Sequence, residues 1–398
     1  MSILKVDGIR HNSATSDAIT MASDGTCTAK ITSAGGGQLS HRNKVINGAM
    51  LINQRASSYT STGGEYTLDR FVHASGSAFT FDTTTTQDSS TPDGFSKSLK
   101  ITPDSTQTPT GSHNGTIRQV FEGQDFQDLA FGTSSAKSVT VSFYAKSSSQ
   151  NNNHQYGVQL RCRSGSTTQY VSQAFNVTSS WQRFTMTFVG NTGVAIRNDT
   201  AVGFEICFHL ASGPDDIVSA KSTWTTSGAF QTVTGQSNFM DNTSNEFYLT
   251  GVQLEVGDTA TSFEHRSFGE ELARCSRYLQ IFHVPTSDSR RASNITATVH
   301  GTGSGVYLNV AFPYPMRAAP SLTVDGAFGG NVFTGSWSGD TLSSITAEYS
   351  TDALSTLGFN GITSASISGS GRTVGLTGQI YTANNGSDDA ALIYSAEI

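Results

Sequence analysis

The sequence predicts an all-β protein: an N-terminal extended segment, a central jelly-roll β-sandwich, a short connecting helix and a C-terminal β-sandwich. Three observations predict it. Ser and Thr together make up roughly a quarter of the 398 residues, far above ordinary usage. Only 14% of the residues are charged, while Gly numbers 40 and Phe 23. That is the composition of short strands and polar turns, not of helices built on Ala, Leu, Glu and Lys. Through most of the chain, apolar residues also recur at every second position, the period of a sheet with one buried face.

Residues 1–45 hold strand-like pieces at Ile3–Val6, Ala18–Met21 and Thr26–Ile31, with an Asp24-Gly25 turn and a Gly35-Gly36-Gly37 hinge. Their apolar positions are too few to bury a core. Such a segment gains order by packing on copies of itself or on another protein. Residues 46–266 alternate clearly, as in Val139-Val141-Phe143, Phe184-Met186-Phe188, Val202-Phe204-Ile206-Phe208 and Phe247-Leu249 with Val252-Leu254. About ten such strands in one block predict a two-sheet jelly roll.

Residues 267–279 carry acids first and arginines last, which complements a helix dipole. Phe268, Leu272, Cys275 and Leu279 would form its apolar stripe. Residues 280–398 form a second β-zone, with strands expected at Val306–Val310 and Ser321–Val324 and around Ile345, Ile367, Val374 and Ile380. Pro313, Pro315 and Pro320 mark a turn region between them. No repeat of 20–50 residues is present, which removes solenoids and propellers.

Charge and cysteine usage exclude several functions. The formal net charge is −7, and no basic stripe exists to hold nucleic acid. No apolar run is long enough to span a bilayer, and the first residues lack the blocks of a signal peptide. Cys27, Cys162, Cys207 and Cys275 are far apart. They suggest neither a zinc site nor a disulfide framework, and Cys162 reads as a small buried hydrophobe.

Catalytic and metal signals are absent, and no cofactor is expected. Glu122 with Asp125, Asp215 with Asp216, Glu270 with Glu271 and Asp388 with Asp389 all read as turn or helix-start acids. They do not read as the separated carboxylate pair of a glycosidase. No nucleophile elbow occurs, and Gly301–Gly305 leads into a strand, not into a helix that could cradle phosphate. Asp241, Asn242 and Asn245 read as a solvated turn in preference to a calcium site.

Six motifs then resemble a domain of tailed-phage fibre and other virion proteins. They are Asn47–Arg55 (NGAMLINQR), Tyr66–Phe71 (YTLDRF), Ser180–Phe184 (SWQRF), Gly251–Gly257 (GVQLEVG), Thr261–Ser267 (TSFEHRS) and Glu271–Tyr278 (ELARCSRY). In order, they cover roughly residues 46–278. That domain is similar to jelly-roll carbohydrate-binding modules. The stretch Leu4–Ile9 with Ala18–Gly25 resembles the attachment ends of cyanophage-like podovirus tail fibres. Phe71 and Phe184 stand where the family has Trp and Tyr, so both are expected in the core and not as a sugar platform.

The resemblance implies a non-enzymatic, homotrimeric tail fibre, assembled in the host cytoplasm and carried on the virion tail. Residues 1–45, through Leu4, Val6, Ile9, Ile19 and Met21, would attach to tail or adaptor proteins. The C-terminal domain would be a tip contacting a host-surface glycan or outer-membrane receptor, without membrane insertion. Tip loops carry recognition more often than scaffolds do, which singles out Trp337, then Tyr349, Tyr381 and Tyr394. Trp224, in a polar loop, is expected as an exposed platform or interchain contact, and Trp181 as a core residue. The other readings are a capsid decoration or tail adaptor and, third, a glycan-cleaving spike.

Overall fold

The computed structural model describes residues 8–9, 19–21, 23, 27–29, 41–76, 79–226, 232–284, 296–300, 305–310, 312–325, 328–332, 340–348, 361–367, 377–382 and 390–398. Every named strand is paired antiparallel. At the N-terminus, β1 (Gly8–Ile9), β2 (Ile19–Met21) and β3 (Cys27–Ala29) form one small sheet. Ile9 and Met21 remain exposed on it, at 48% and 43%. Leu4 and Val6 lie outside the described residues.

The central body has eleven strands: β4 (Ser58–Ser61), β5 (Val72–Gly76), β6 (Thr83–Asp88), β7 (Ser98–Pro103), β8 (Asn114–Glu122), β9 (Val139–Ser147), β10 (Gln155–Ser164), β11 (Thr167–Asn176), β12 (Gln182–Phe188), β13 (Val202–Ser212) and β14 (Phe247–Val256). They form a five-stranded sheet, β11-β10-β13-β8-β5, facing a six-stranded sheet, β12-β9-β14-β7-β6-β4. The alternation read from sequence is what fills the space between them. Val139, Val141 and Phe143 from one sheet meet Val158, Leu160, Phe204, Ile206 and Phe208 from the other in one buried cluster. Phe143 sits 5.0 Å from Phe175, 5.2 Å from Phe184 and 5.1 Å from Phe208, centroid to centroid. Each such side chain contributes about 1.5–3 kcal/mol by leaving water. Phe71 is fully buried and Phe184 packs against the cluster, as their motif positions require.

Between Thr250 and Gln253 the β14 register against β9 shifts, and Gly251 adopts φ +60° there. A Cβ on Gly251 would come within 2.7 Å of Phe95 and 2.9 Å of Tyr144. Only glycine lets these two rings lie on the backbone.

The connecting helix is α1 (Phe268–Ser276), capped by the Ser267 hydroxyl, which accepts from the Glu270 N–H. Its buried stripe is turned by about one residue from the expected one. Glu271 and Cys275 are buried and Tyr278 continues them, while Phe268 is 60% exposed. Glu271 is drawn inward because its carboxylate accepts from the Asn47 N–H (2.6 Å) and pairs with Arg266 (3.3 Å).

The C-terminal zone contains β15 (Leu279–Val284), β16 (Thr296–His300), β17 (Gly305–Val310), β18 (Ser321–Asp325), β19 (Phe328–Val332), β20 (Asp340–Glu348), β21 (Gly361–Ile367), β22 (Thr377–Thr382) and β23 (Ala390–Ser395). In place of two facing sheets, six of these strands close a barrel, β16-β17-β21-β20-β19-β22, beside a three-stranded sheet β15-β23-β18. Closure removes the free edges that short Gly- and Ser-rich strands would otherwise expose. The edge expected at Val374 lies outside the described residues. Among the described residues, no helix is long and apolar enough to cross a membrane.

Candidate functional site: a polar face of the five-stranded sheet

Five of the six sequence motifs converge on a joint between the jelly roll, α1 and the residues after β23, while Ser180–Phe184 leads into β12 at the edge of the six-stranded sheet. The Asn47 amide donates to the carbonyls of Ile52 (2.8 Å) and Asp69 (3.0 Å). Asp69 in turn accepts from the Gln54 side chain (2.6 Å) and backbone N–H (2.7 Å). Arg70 is buried, donates to the Val120 carbonyl (2.6 Å), lies 3.4 Å over the Tyr278 ring and pairs with Glu397, which Arg55 also reaches at 3.0 Å. Burial lowers the Arg70 pKa, and the Glu397 carboxylate more than offsets this, holding the guanidinium charged. Glu122, fully buried, accepts two bonds from Arg277 and one from the Tyr278 hydroxyl, all at 2.8 Å. Thr261–Ser267 runs back along β14, with the Glu264 N–H donating to the Gln253 side chain (2.8 Å) and the Thr261 N–H to Glu255 (3.1 Å). These motifs therefore build the body, and a ligand site has to be sought elsewhere.

The outer face of the five-stranded sheet is the candidate. The sheet's inward residues fill the core, and its outward residues are polar on three adjacent strands. They are Gln159, Arg161 and Arg163 on β10, Glu205, Cys207 and His209 on β13, and Asn114, Thr116 and Arg118 on β8. Residues 232–236 cross one end of this face. A Cβ on Gly157 would meet the Thr232 hydroxyl at 2.4 Å, and Gln236 donates to the His209 carbonyl (2.8 Å). At the other end, Gly203 lies against Gly123, which abuts the Arg197 carbonyl. Between these crossings lies a closed polar floor, in which Gln159, Arg161, Cys207 and His209 are fully buried and Glu205 is 1% exposed, while Arg118 and Arg163, at 25% and 34% exposure, reach solvent at its rim.

Glu205 anchors the floor. Its carboxylate pairs with Arg163 Nε (2.5 Å), Arg118 Nη1 (3.3 Å) and Arg161 Nη1 (3.5 Å). Burial pushes this carboxyl up, and the guanidinia of Arg161, Arg163 and Arg118 outweigh burial and hold it below the usual range. Burial, helped by Arg161 and Arg118, holds His209 far below an ordinary histidine, so its ring stays neutral. Burial also pushes the Cys207 thiol up to about 11. Four buried polar atoms on or beside this face have no partner among the described residues: Arg118 Nε, His209 Nδ1, Asn114 Oδ1 and Ser212 Oγ. Buried donors and acceptors are nearly always satisfied. Those atoms lie under the surface, and the groups of this face that solvent reaches are the Arg118 and Arg163 side chains.

The residues singled out from sequence fall elsewhere. Trp337 and Tyr349 lie outside the described residues, and Tyr381 is placed in β22 opposite Gly329. Tyr394 is fully buried in β23, packed 4.9 Å from Phe312 and 5.8 Å from Phe282, so it cannot contact a receptor. Alternation along β23 placed it on the inner face of the small sheet. Trp224 is not a free platform either. It is half-buried against the core, 5.4 Å from Phe131, with its indole N–H donating to the Val189 carbonyl (2.7 Å). Thr225 beside it pairs with Tyr170, so this loop extends the β11 edge.

Trp181 lies outside the core cluster. It packs edge-on to Tyr248 at 6.1 Å, with Lys146 5.5 Å above its ring, on the outer face of the six-stranded sheet. Asn245, expected in a turn, donates to Asp241 Oδ1 (2.7 Å) and to the Phe239 carbonyl (2.8 Å), which is turn geometry. Asp388, Asp389 and Gly301 to Ser304 lie outside the described residues. The polar face itself is not among the sequence-based candidates, although its signal is present. Gln159-Arg161-Arg163 and Glu205-Cys207-His209 each place polar groups at period two, opposite an apolar face.

No family model matches the sequence, and no curated protein matches it. Among solved structures, the chain is similar to the enzymatically active domain of tailspike protein 4 of bacteriophage CBA120. Identity there is 14%, with 54% of this chain and 21% of that chain covered and a TM-score of 0.27. The matched part is thus about a fifth of the tailspike chain. The chain is also similar to the xylan-binding CBM22-1 domain of Paenibacillus barcinonensis Xyn10C, at 12% identity, 51% and 94% coverage and TM-score 0.26. A third likeness is to the family 11 carbohydrate-binding module of Clostridium thermocellum Lic26A-Cel5E, at 14% identity, 54% and 100% coverage and TM-score 0.27.

Proposed function

We propose that this chain is a glycan-binding virion appendage: a homotrimeric, non-enzymatic tail fibre. It attaches to tail or adaptor proteins through residues 1–45 and engages a host-surface glycan or outer-membrane receptor. The observation that carries the reading is the outer face of the five-stranded sheet, where the Arg118 and Arg163 side chains reach solvent over a buried polar floor. Six motifs resembling those of tailed-phage fibre proteins support the virion role. The small N-terminal sheet leaves Ile9 and Met21 exposed, which supports order gained by association. Glu205 and Glu122 each accept from several guanidinium or hydroxyl donors, which supports binding over general acid–base work. Trimerisation would raise the avidity of weak sites without new contacts.

The test is binding of the full-length chain to intact bacterial cells, with Arg163→Gln and Trp337→Ala beside it. Saturable binding weakened by Arg163→Gln supports the arginine-rimmed face as the seat, and weakening by Trp337→Ala supports a C-terminal tip. A folded trimer that binds no cell surface would refute the receptor role and favour a decoration or adaptor protein.

A further inference from the structure

We infer that the outer face of the six-stranded sheet carries a second saccharide seat, a patch of rings around Phe95 that stacks on the C–H face of a pyranose. It goes beyond the arginine-rimmed face, which lies on the other sheet. On β9, Val141, Phe143 and Ala145 point into the core, so Tyr144 points outward, between Arg183 of β12 and Thr250 of β14. A turn at residues 91–95 closes over this spot. The Thr91 hydroxyl donates to the Phe95 carbonyl (2.8 Å), and the Phe95 N–H donates to the Pro92 carbonyl (3.2 Å). The turn lays Phe95 on Gly251, where a Cβ would leave no room. From the other side come residues 262–266. Glu264 turns away to accept from the Asn43 N–H (2.9 Å), while Phe263 and His265, one residue either side, turn to Phe95.

Phe95 thus has Tyr144, Phe263 and His265 around it at centroid distances of 5.3, 5.0 and 5.1 Å, each tilted or edge-on. None of the four belongs to the core cluster. Phe95, Tyr144 and Phe263 stay partly exposed, and His265 is exposed. A pyranose presents a run of C–H groups on one face, and their positive edge suits the negative face of an aromatic ring. Its hydroxyls need partners, and three lie beside the rings. The Tyr144 hydroxyl and the His265 ring nitrogens make no hydrogen bond among the described residues. Arg183, exposed, commits Nη2 to the Ser142 hydroxyl (3.3 Å) and the Thr261 carbonyl, and its Nε and Nη1 have no partner among the described residues. Apolar rings with a few convergent polar groups are the usual lining of a small-ligand site. Neighbouring centroids 4.9–5.3 Å apart make a patch of about one or two sugar rings, far below the ~800 Å² a side of a stable protein interface. Trp181 and Tyr248, on the same face, add nothing to it, because Lys146 already lies over both rings at 5.5 and 4.4 Å.

The experiment is saturation-transfer NMR on the full-length chain, with maltotriose, galactotriose and mannotriose titrated in turn. For at least one probe, saturation should be strongest on the C–H protons of one pyranose face. Phe263→Leu keeps apolar bulk and removes a ring, whereas Tyr144→Phe keeps the ring and removes the hydroxyl. Each should weaken binding about three- to ten-fold without altering the far-UV spectrum. Arg163→Gln, on the other sheet, should leave this binding unchanged. Should Phe263→Leu fail to fold, Tyr144→Phe decides alone.

No saturation transfer to any of the three sugars would overturn the second seat and leave the rings as packing that fastens residues 91–97 and 261–266 to the sheet. The arginine-rimmed face would then stand or fall on its own cell-binding test. Sugar binding that falls with Arg163→Gln and ignores Phe263→Leu and Tyr144→Phe would also overturn the second seat, while supporting the first.

Discussion

Replacing His209 by Gln should flatten the pH dependence of stability between about pH 6.5 and about pH 4.5. His209 is fully buried, lies 3.4 Å from the Gln159 side-chain oxygen and faces Arg161 and Arg118. Burial first, then those two charges, depress its folded-state pKa far below 6.5. The sign follows from proton counting. In this window the unfolded chain binds a proton at His209 and the folded chain does not, so stability rises with pH and is lost on acidification. Each pH unit below the unfolded pKa costs up to about 1.4 kcal/mol, so the two-unit window costs about 2 kcal/mol at this one side chain. Gln carries no proton to gain, yet keeps hydrogen-bonding atoms in the same place. The assay is urea unfolding followed by tryptophan fluorescence, with wild type and His209→Gln compared at both pH values. The variant should lose about 2 kcal/mol less than wild type on acidification, whatever its stability at neutral pH. Parallel pH profiles would refute the reasoning, because they would mean that His209 is protonated inside the fold.

Three further outcomes follow from the packing. Glu397→Gln leaves the Arg70 and Arg55 guanidinia facing a neutral amide in a buried joint, and should cost about 3–5 kcal/mol; protease sensitivity of the chain following Tyr278 would report the loosening. Gly251→Ala drives a Cβ into Phe95 and Tyr144 at a positive φ, and should cost about 1–3 kcal/mol, measured as a fall in Tm. Trp181→Ala should cost far less than Phe143→Ala, for which about 3–5 kcal/mol is expected, because only Phe143 lies inside the core. Equal losses by urea unfolding would return Trp181 to the core.

The jelly roll was legible in the sequence because a two-faced sheet writes itself at period two. Val139, Val141 and Phe143, or Phe204, Ile206 and Phe208, could point only one way. Cys162 was legible for the same reason. The α1 stripe was misjudged at Phe268 because hydrophobicity alone was counted. Glu271, a carboxylate, took the inward position because Arg266 and the Asn47 N–H receive it there, and the Asn47 N–H is a backbone donor 224 residues away. Barrel closure in the C-terminal zone is a relation among six strands, and no single strand carries it. Aromatic side chains drew attention to Trp224 and Tyr394, yet the core claimed Tyr394 entirely and Trp224 in part. The polar face depends on Arg118 meeting Arg161 and Arg163 across β13, a long-range pairing that no local spacing encodes.

The account turns on whether this jelly roll captures glycan, and the most direct measurement is an array of bacterial surface polysaccharides probed with the labelled full-length chain. The account predicts saturable binding to a subset of them, reduced by Arg118→Gln and Arg163→Gln and strengthened when the chain is trimeric. A folded chain that binds none of them, or whose binding ignores both arginines, would contradict it.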